Sequence, residues 1–430
     1  MKMEKIKYLI LLLTAFSFLN AQNTEIIIEN KYTKAINKIA KNKKVIDAFR
    51  YIIDIEEKTQ KNLIDLTEIE APPFKESKRA NEFANRLKNI GLDKVWIDSV
   101  GNVLGLIKGS DGKRNIALDA HIDTVFPEGT DVMVRVKNDT LFAPGIADDS
   151  RGLAMILTIA ESIKKTNIKP KNNIIFIGTV GEEGLGDLRG VKYLFKKNDP
   201  KIDSWIAIDG GSIGRVNNQA LGSYRYEIIF KGPGGHSWGA FGLANPHHAL
   251  GNGITNFVDK ANEYTLNGPR TSYNVGIISG GTSINSIPFE SSMLIDIRSV
   301  DPTRLDEMEI ILNNSMRTAL ERQNSIKRSG PDLELIIKKV GNRPSGKVHE
   351  NTPLIQRVLA ATKYMGVEPR LTIGSTNSNI PISIGVPAVT IGRGGDAGGV
   401  HSLDEWWINN DGYKSIQLAL LILLSESGVN

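Results

Sequence analysis

The chain of 430 residues contains no cysteine. That absence excludes disulfides and thiolate-bound metal, so any metal here is held by His, Asp and Glu. It also excludes a lipid-modified cysteine behind a leader. There is no arginine-rich run and no basic stripe with aromatics interleaved. The formal charge is only +5, too small and too evenly spread to point to nucleic acid or a membrane surface. Long hydrophobic runs are scarce. The stretch "YLILLLTAFSFL" at positions 8–19 covers twelve residues, short of the roughly 20 that a membrane span needs.

What is present at the N-terminus reads as an export signal. "MKMEKIK" is a basic leader, the apolar stretch follows, and "NAQ" offers a cut after Ala21. Residues 1–21 are therefore expected to be a signal peptide, and the protein to be exported, periplasmic or secreted. No stable membrane span then remains. Leu19 is bulky for its place in the cleavage motif, so retention as an anchor stays as the alternative. Composition is that of a soluble globular protein, 40% hydrophobic and 23% charged, and long enough for two domains.

Residues 22–44 are polar and lysine-rich and read as a linker. "VIDAFRYIIDIEEKTQKNLIDL" then has apolar residues at helical spacing from Val45 to Leu66. "KRANEFANRLKNIG" is a second helix with a glycine stop, and "RGLAMILTIAESIKK" a strong third. Between and after them lie strands: "KVWID", "NVLGLIKG", "NIALDA", a hairpin across Asn138-Asp139, and the continuous apolar runs "NNIIFIGTV" and "SWIAID". The fold class is α/β, with a mainly parallel sheet and helices on both faces. The middle reads differently. From "YRYEIIFKG" to "DLELIIKKVG" the order is β-α-β-β-α-β, a ferredoxin-like α+β unit inserted as a lid or dimerisation domain at 220–341. The catalytic domain would comprise 45–219 and 342–430.

Ionisable residues recur just past strand ends, where open α/β sheets place their ligands. "ALDAHIDTV" gives His121 and Asp123, "GIADDSRG" gives Asp148 and Asp149, "GEEG" gives Glu182 and Glu183, "IAIDGG" gives Asp209, and "GGVHSLDE" gives His401 and Glu405. Each alone reads as a cap or turn residue. Gathered at one end of a sheet, so many carboxylates would repel unless a cation neutralised them. No run of Lys or Arg is at hand to do so, and a pair of divalent metal ions is the economical answer.

The arrangement closely resembles the di-zinc metallopeptidases that include peptidase T, acetylornithine deacetylase, succinyl-diaminopimelate desuccinylase and glutamate carboxypeptidase. The stretches that carry the resemblance are "HIDTV", "GIADDSRG", "GEEG", "AIDGG", "GPGGHS", "GGTSINSIP", "DIRS", "GSTNSNIP" and "GGVHSLDE", in that order. The resemblance runs from about Val45 to the C-terminus and is strongest to the peptidase T-like branch. It implies two Zn²⁺ per chain, with Co²⁺ or Mn²⁺ also acceptable to such ligands. His121 and Asp209 would bind one ion, Glu183 and His401 the other, and Asp148 would bridge them. Glu182 would be the general base, and Asp123 the carboxylate that fixes the His121 tautomer. Adjacent residues on an extended segment point opposite ways, which would let Glu183 ligate while Glu182 faces the water.

The resemblance further implies that His236 stabilises the oxyanion, often from a partner subunit, and that Asn285 and Arg298 contact a substrate carboxylate. A homodimer through the inserted domain is implied with it. His247, His248 and His349 read as surface residues, Asp149 as a helix cap, and Glu405 as support for the loop carrying His401. One departure is visible: Asn377 stands where many relatives carry Asp, at a position expected near the substrate pocket. The expected activity is that of an exopeptidase on di- or tripeptides. The alternative is an N-acyl-amino-acid amidohydrolase, which uses the same bond chemistry, and a non-catalytic binding protein is a third.

Overall fold

The computed structural model describes residues 26–429; the leader at 1–21 lies outside them. A nine-stranded sheet forms the centre of the molecule. Its middle strands run in the order Asn173–Thr179, Asn115–His121, Ser204–Ile208 and Ala388–Ile391, all parallel to one another. Antiparallel strands extend it outward, Val103–Ile107 and Lys94–Ile97 on one side and Arg215–Ala220 on the other.

Alternation along these strands divides the core into two layers. Ile116, Leu118, Ala120, Ile174 and Phe176 face helices Lys43–Asp54, Ser77–Ile90, Arg151–Lys165 and Gly412–Ser427. Ala117, Ile175, Ile177 and Trp205 face the opposite way, onto helix Arg189–Lys197 and the short helix Asn379–Ser383. Both faces are covered, as the unbroken apolar runs require. Among the described residues no helix is long and apolar enough to cross a membrane.

Two elements differ from the reading of the sequence. The single helix across Val45–Leu66 is two, Lys43–Asp54 and Glu56–Thr67, joined at the non-helical Ile55. Residues 30–40, read as linker, form a helix that buries Tyr32, Ile36 and Ala40. Its polar majority hid a stripe at four-residue spacing. Gln356 ties this helix down, accepting from the Glu29 amide and donating to the Ile27 carbonyl.

The inserted unit is a four-stranded antiparallel sheet in the order Thr271–Gly280, Glu290–Ser299, Gly222–Lys231, Glu334–Arg343. Helices Pro246–Thr265 and Pro302–Ile326 pack on it around Tyr226, Phe230, Phe257, Leu312 and Met316. Its first and last strands are neighbours, with Ser223 opposite Arg343, so the chain leaves and rejoins the catalytic body side by side. That adjacency sets the lid against the site described next.

Candidate active site

Three parallel strands end at one edge of the sheet and bring the ionisable residues there. His121 closes its strand, Glu182 and Glu183 follow shortly after Thr179, and Asp209 follows Ile208. Asp148 lies on the turn before helix Arg151–Lys165, and His401 arrives on a loop between two short strands. Asp148 sits at the centre. Its Oδ1 is 3.0 Å from His121 Nε2 and its Oδ2 3.1 Å from His401 Nε2. His401 Nε2 is also 3.0 Å from Glu183 Oε1. His121, Asp148 and Glu183 offer ligand atoms that all lie within 4.8 Å of one another. Asp209 lines the same cavity of about 320 Å³, with Glu182, Arg225, Arg298, Arg343 and Ser375.

The electrostatics show what this cluster is short of. Burial pushes the Asp209 carboxyl up to about 7, and the neighbouring Asp148 charge adds to the effect. Burial acts on Asp148 in the same direction, but hydrogen bonds from His121 and His401 outweigh it and hold that carboxyl below the usual range. Hydrogen bonds to Asp148 and then Glu183 push His401 up to about 10. His121 is raised as well: burial opposes its charge, and Asp148 overcomes that. Carboxylates that raise both imidazoles leave an excess of negative charge where these side chains meet, even with arginines on the cavity wall. Divalent ions offset it while leaving the imidazoles neutral, and carboxylate and imidazole are the donors such ions take. The residues present therefore fit a metal centre.

Four supporting contacts differ from what the sequence suggested. The Asp123 carboxylate accepts from the backbone amides of Glu182 and Glu183, at 2.9 and 2.8 Å. It is Asp123's main-chain carbonyl, 2.9 Å from His121 Nδ1, that fixes the tautomer. Glu405 does more than support the His401 loop, where its amide donates to the Ser402 carbonyl: its side chain holds the Asp148 turn, accepting from the amides of Gly145, Ala147 and Asp148. Asn377 lies behind the site instead of in the substrate pocket: its amide donates to Asp119 and Thr179, and all three are buried. The fourth concerns charge. No basic run neutralises the carboxylates, but one distant arginine pairs with one of them. Arg343 Nη1 is 2.9 Å from Glu182 Oε1, and both side chains are buried. Asp149 does act as a cap, accepting from the Gly152 amide, and also receives the His121 amide.

The lid residues divide. Arg298 faces the cavity, held through Nε by Asp296. His236 and Asn285 do not line it. They sit beside each other on a short ribbon of the lid, where His236 pairs with Ser286 and Ser237 donates to the Asn285 carbonyl. Trp238, Phe241 and Ile284, close to them in sequence, are exposed. Sequence reasoning missed Arg343 and Arg225, because each gains its meaning from a contact across more than forty residues.

Residues 117–425 match Peptidase family M20/M25/M40. The chain belongs to that family. It is a hydrolase of peptide or linear amide bonds, and the sequence-level resemblance pointed to the right group. Carboxypeptidase G2 of Pseudomonas sp. (strain RS-16) is 26% identical over 321 residues, covering 70% of this chain and 72% of the relative. The aminopeptidase PepT of Bacillus cereus ATCC 10987 superposes with a TM-score of 0.68 at 19% identity, covering 86% of this chain and 98% of its own. A dinuclear metal-binding M20 peptidase of Bacillus subtilis, YXEP, gives 0.62 at 16% identity, covering 87% and 99%. Both solved structures share the architecture of this M20 chain.

Proposed function

We propose that this M20 protein is an exported zinc-dependent exopeptidase acting on di- or tripeptides. The observation that carries the reading is the Asp148 carboxylate set between two imidazoles, with Glu183 on the second and Glu182 beside it. His121 and Asp209 would hold one ion and Glu183 and His401 the other, with Asp148 shared. Such a pair of ions supplies Lewis acidity at the scissile carbonyl and acidifies water.

The chain's own residues do the rest. Asp123 fixes the backbone of both glutamates from one carboxylate. Arg343 engages Oε1 of Glu182, which leaves Oε2 to take a proton from the attacking water and pass it to the leaving amine. Arg298 lines the cavity with its Nε held by Asp296, and its guanidinium suits a substrate carboxylate. His236 and Asn285, outside the cavity of their own chain, would serve a partner's site in a homodimer joined through the lids. Export rests on the leader, and N-acyl amino acids are the alternative substrates.

Purified mature protein should hydrolyse Ala-Ala or tri-alanine when zinc is supplied and stop when a chelator removes it. Glu182→Gln should keep its zinc and lose turnover by roughly 10²- to 10⁴-fold, the usual share of a general base. Unchanged turnover in that variant refutes the assignment of the base. Faster cleavage of N-acetyl-alanine than of any peptide would move the protein to the amidohydrolase reading.

A further inference from the structure

Glu182 and Glu183 are adjacent, both buried, and both on the wall of the same cavity. Their backbone amides are held by the same Asp123 carboxylate. Either could ligate a metal, so nothing in the residue type or the main chain decides which one does. The side-chain partners do differ. Glu183 reaches His401, while Glu182 is turned to Arg343, whose second Nη also donates to the Glu182 carbonyl. Arg343 is itself fixed: Nη1 donates to Ser375 Oγ at 3.2 Å, and the side chain is buried.

We propose that Arg343 is a positioning residue that assigns the two glutamates their roles, keeping Glu182 out of the metal's ligand set so that it stays available as a base. The grip belongs to the lid. Arg343 ends the last lid strand. The preceding Asn342 amide donates to both carboxylate oxygens of Asp187 at 3.0 Å. Arg225, opposite Gly341 on the neighbouring strand, donates to the Gly184 carbonyl at 2.6 Å. Three lid residues thus hold the turn 182–187 at its start, middle and end. The posture of the lid and the aim of Glu182 are one mechanical unit. Without Arg343, a Glu182 carboxylate on the wall of the same cavity would be drawn to a cation held by its neighbours.

The inference rests on the metal-hydrolase reading, and its main test is independent of turnover. Metal-free wild type, Arg343→Met and the double variant Arg343→Met/Glu182→Gln are each loaded with cobalt, and the visible absorption of the bound ion reports its ligand set. The expected result is a spectrum altered in Arg343→Met and returned to that of wild type in the double variant. In peptide assays Arg343→Met should lose kcat by on the order of 10²-fold with KM within about threefold, and Arg343→Lys should recover about a tenth of wild-type kcat or more. If Arg343→Met does not fold, Arg343→Gln, which likewise removes the charge held against Glu182, carries the spectral comparison. A spectrum identical to wild type in the single variant, or one not reversed in the double, overturns the inference. Cobalt that fails to bind wild type, or a wild type that cleaves no amide, overturns the functional reading instead.

Discussion

Asn377 shows how one residue can be understood only with its partner. Its amide donates to the Asp119 carboxylate at 2.9 Å behind the cluster of candidate ligands. Burial pushes Asp119 up to about 7. Because that value lies above the unfolded one, the stability it contributes is present at acid pH and lost as pH rises through 7. Asn377→Asp would replace a donor with a second carboxylate. At pH 8 the two carboxylates face each other with the amide donor gone, and a loss of at least about 1–3 kcal/mol is expected for the unmet buried group. At pH 5 Asp119 can carry the proton and donate, so the loss should shrink. Thermal unfolding of chelator-treated protein at the two pH values checks this, and an equal loss at both contradicts it. Among the five ligand candidates, His121, Glu183 and Asp209 were legible because they end or follow strands that hydrophobic patterning locates. Asp148 and His401 lie on a turn and a loop and stood out through the family resemblance of their stretches. Arg343 and Asp119 were not legible, since nothing near them in sequence names the group they meet.

Among the elements, the turn carrying Asp148 depends on a residue far down the chain. Glu405 accepts its three amide hydrogens within 3.0 Å. Glu405→Ala should weaken zinc binding by roughly 10- to 100-fold, the usual cost of losing a group that supports a ligand. Calorimetric titration of metal-free protein measures it, and unchanged affinity would deny Glu405 that role. The helix Asn30–Ala40 makes the same point for stability. Ile36 is buried beneath it, and Ile36→Ala should cost about 2–5 kcal/mol in denaturant unfolding if the helix belongs to the catalytic body. A freely moving linker would cost nothing. Its polar composition concealed that stripe, and a continuous helical pattern concealed the break at Ile55. Strong periodicity, as in Arg151–Lys165, left no such ambiguity.

At the scale of the molecule, the sheet covered on both faces could be read from its unbroken apolar runs, and the inserted unit from the order of its strands and helices. How the two bodies face each other could not, since that depends on Arg225, Asn342 and Arg343 meeting a turn that sequence shows only as glycine-rich. Metal binding should stabilise the whole assembly. At a free zinc concentration of 100 times Kd, mass action adds about 2.7 kcal/mol per site, seen as a rise in Tm that a chelator reverses. The insertion has one more consequence. Its outgoing and returning strands are hydrogen-bonded neighbours, Ser223 beside Arg343, so the lid hangs from a paired ribbon rather than from two separate tethers. The hydrogen bonds between the two connections keep them in register with each other. Whatever moves one connection moves the other, so the lid and the catalytic body meet at one seam.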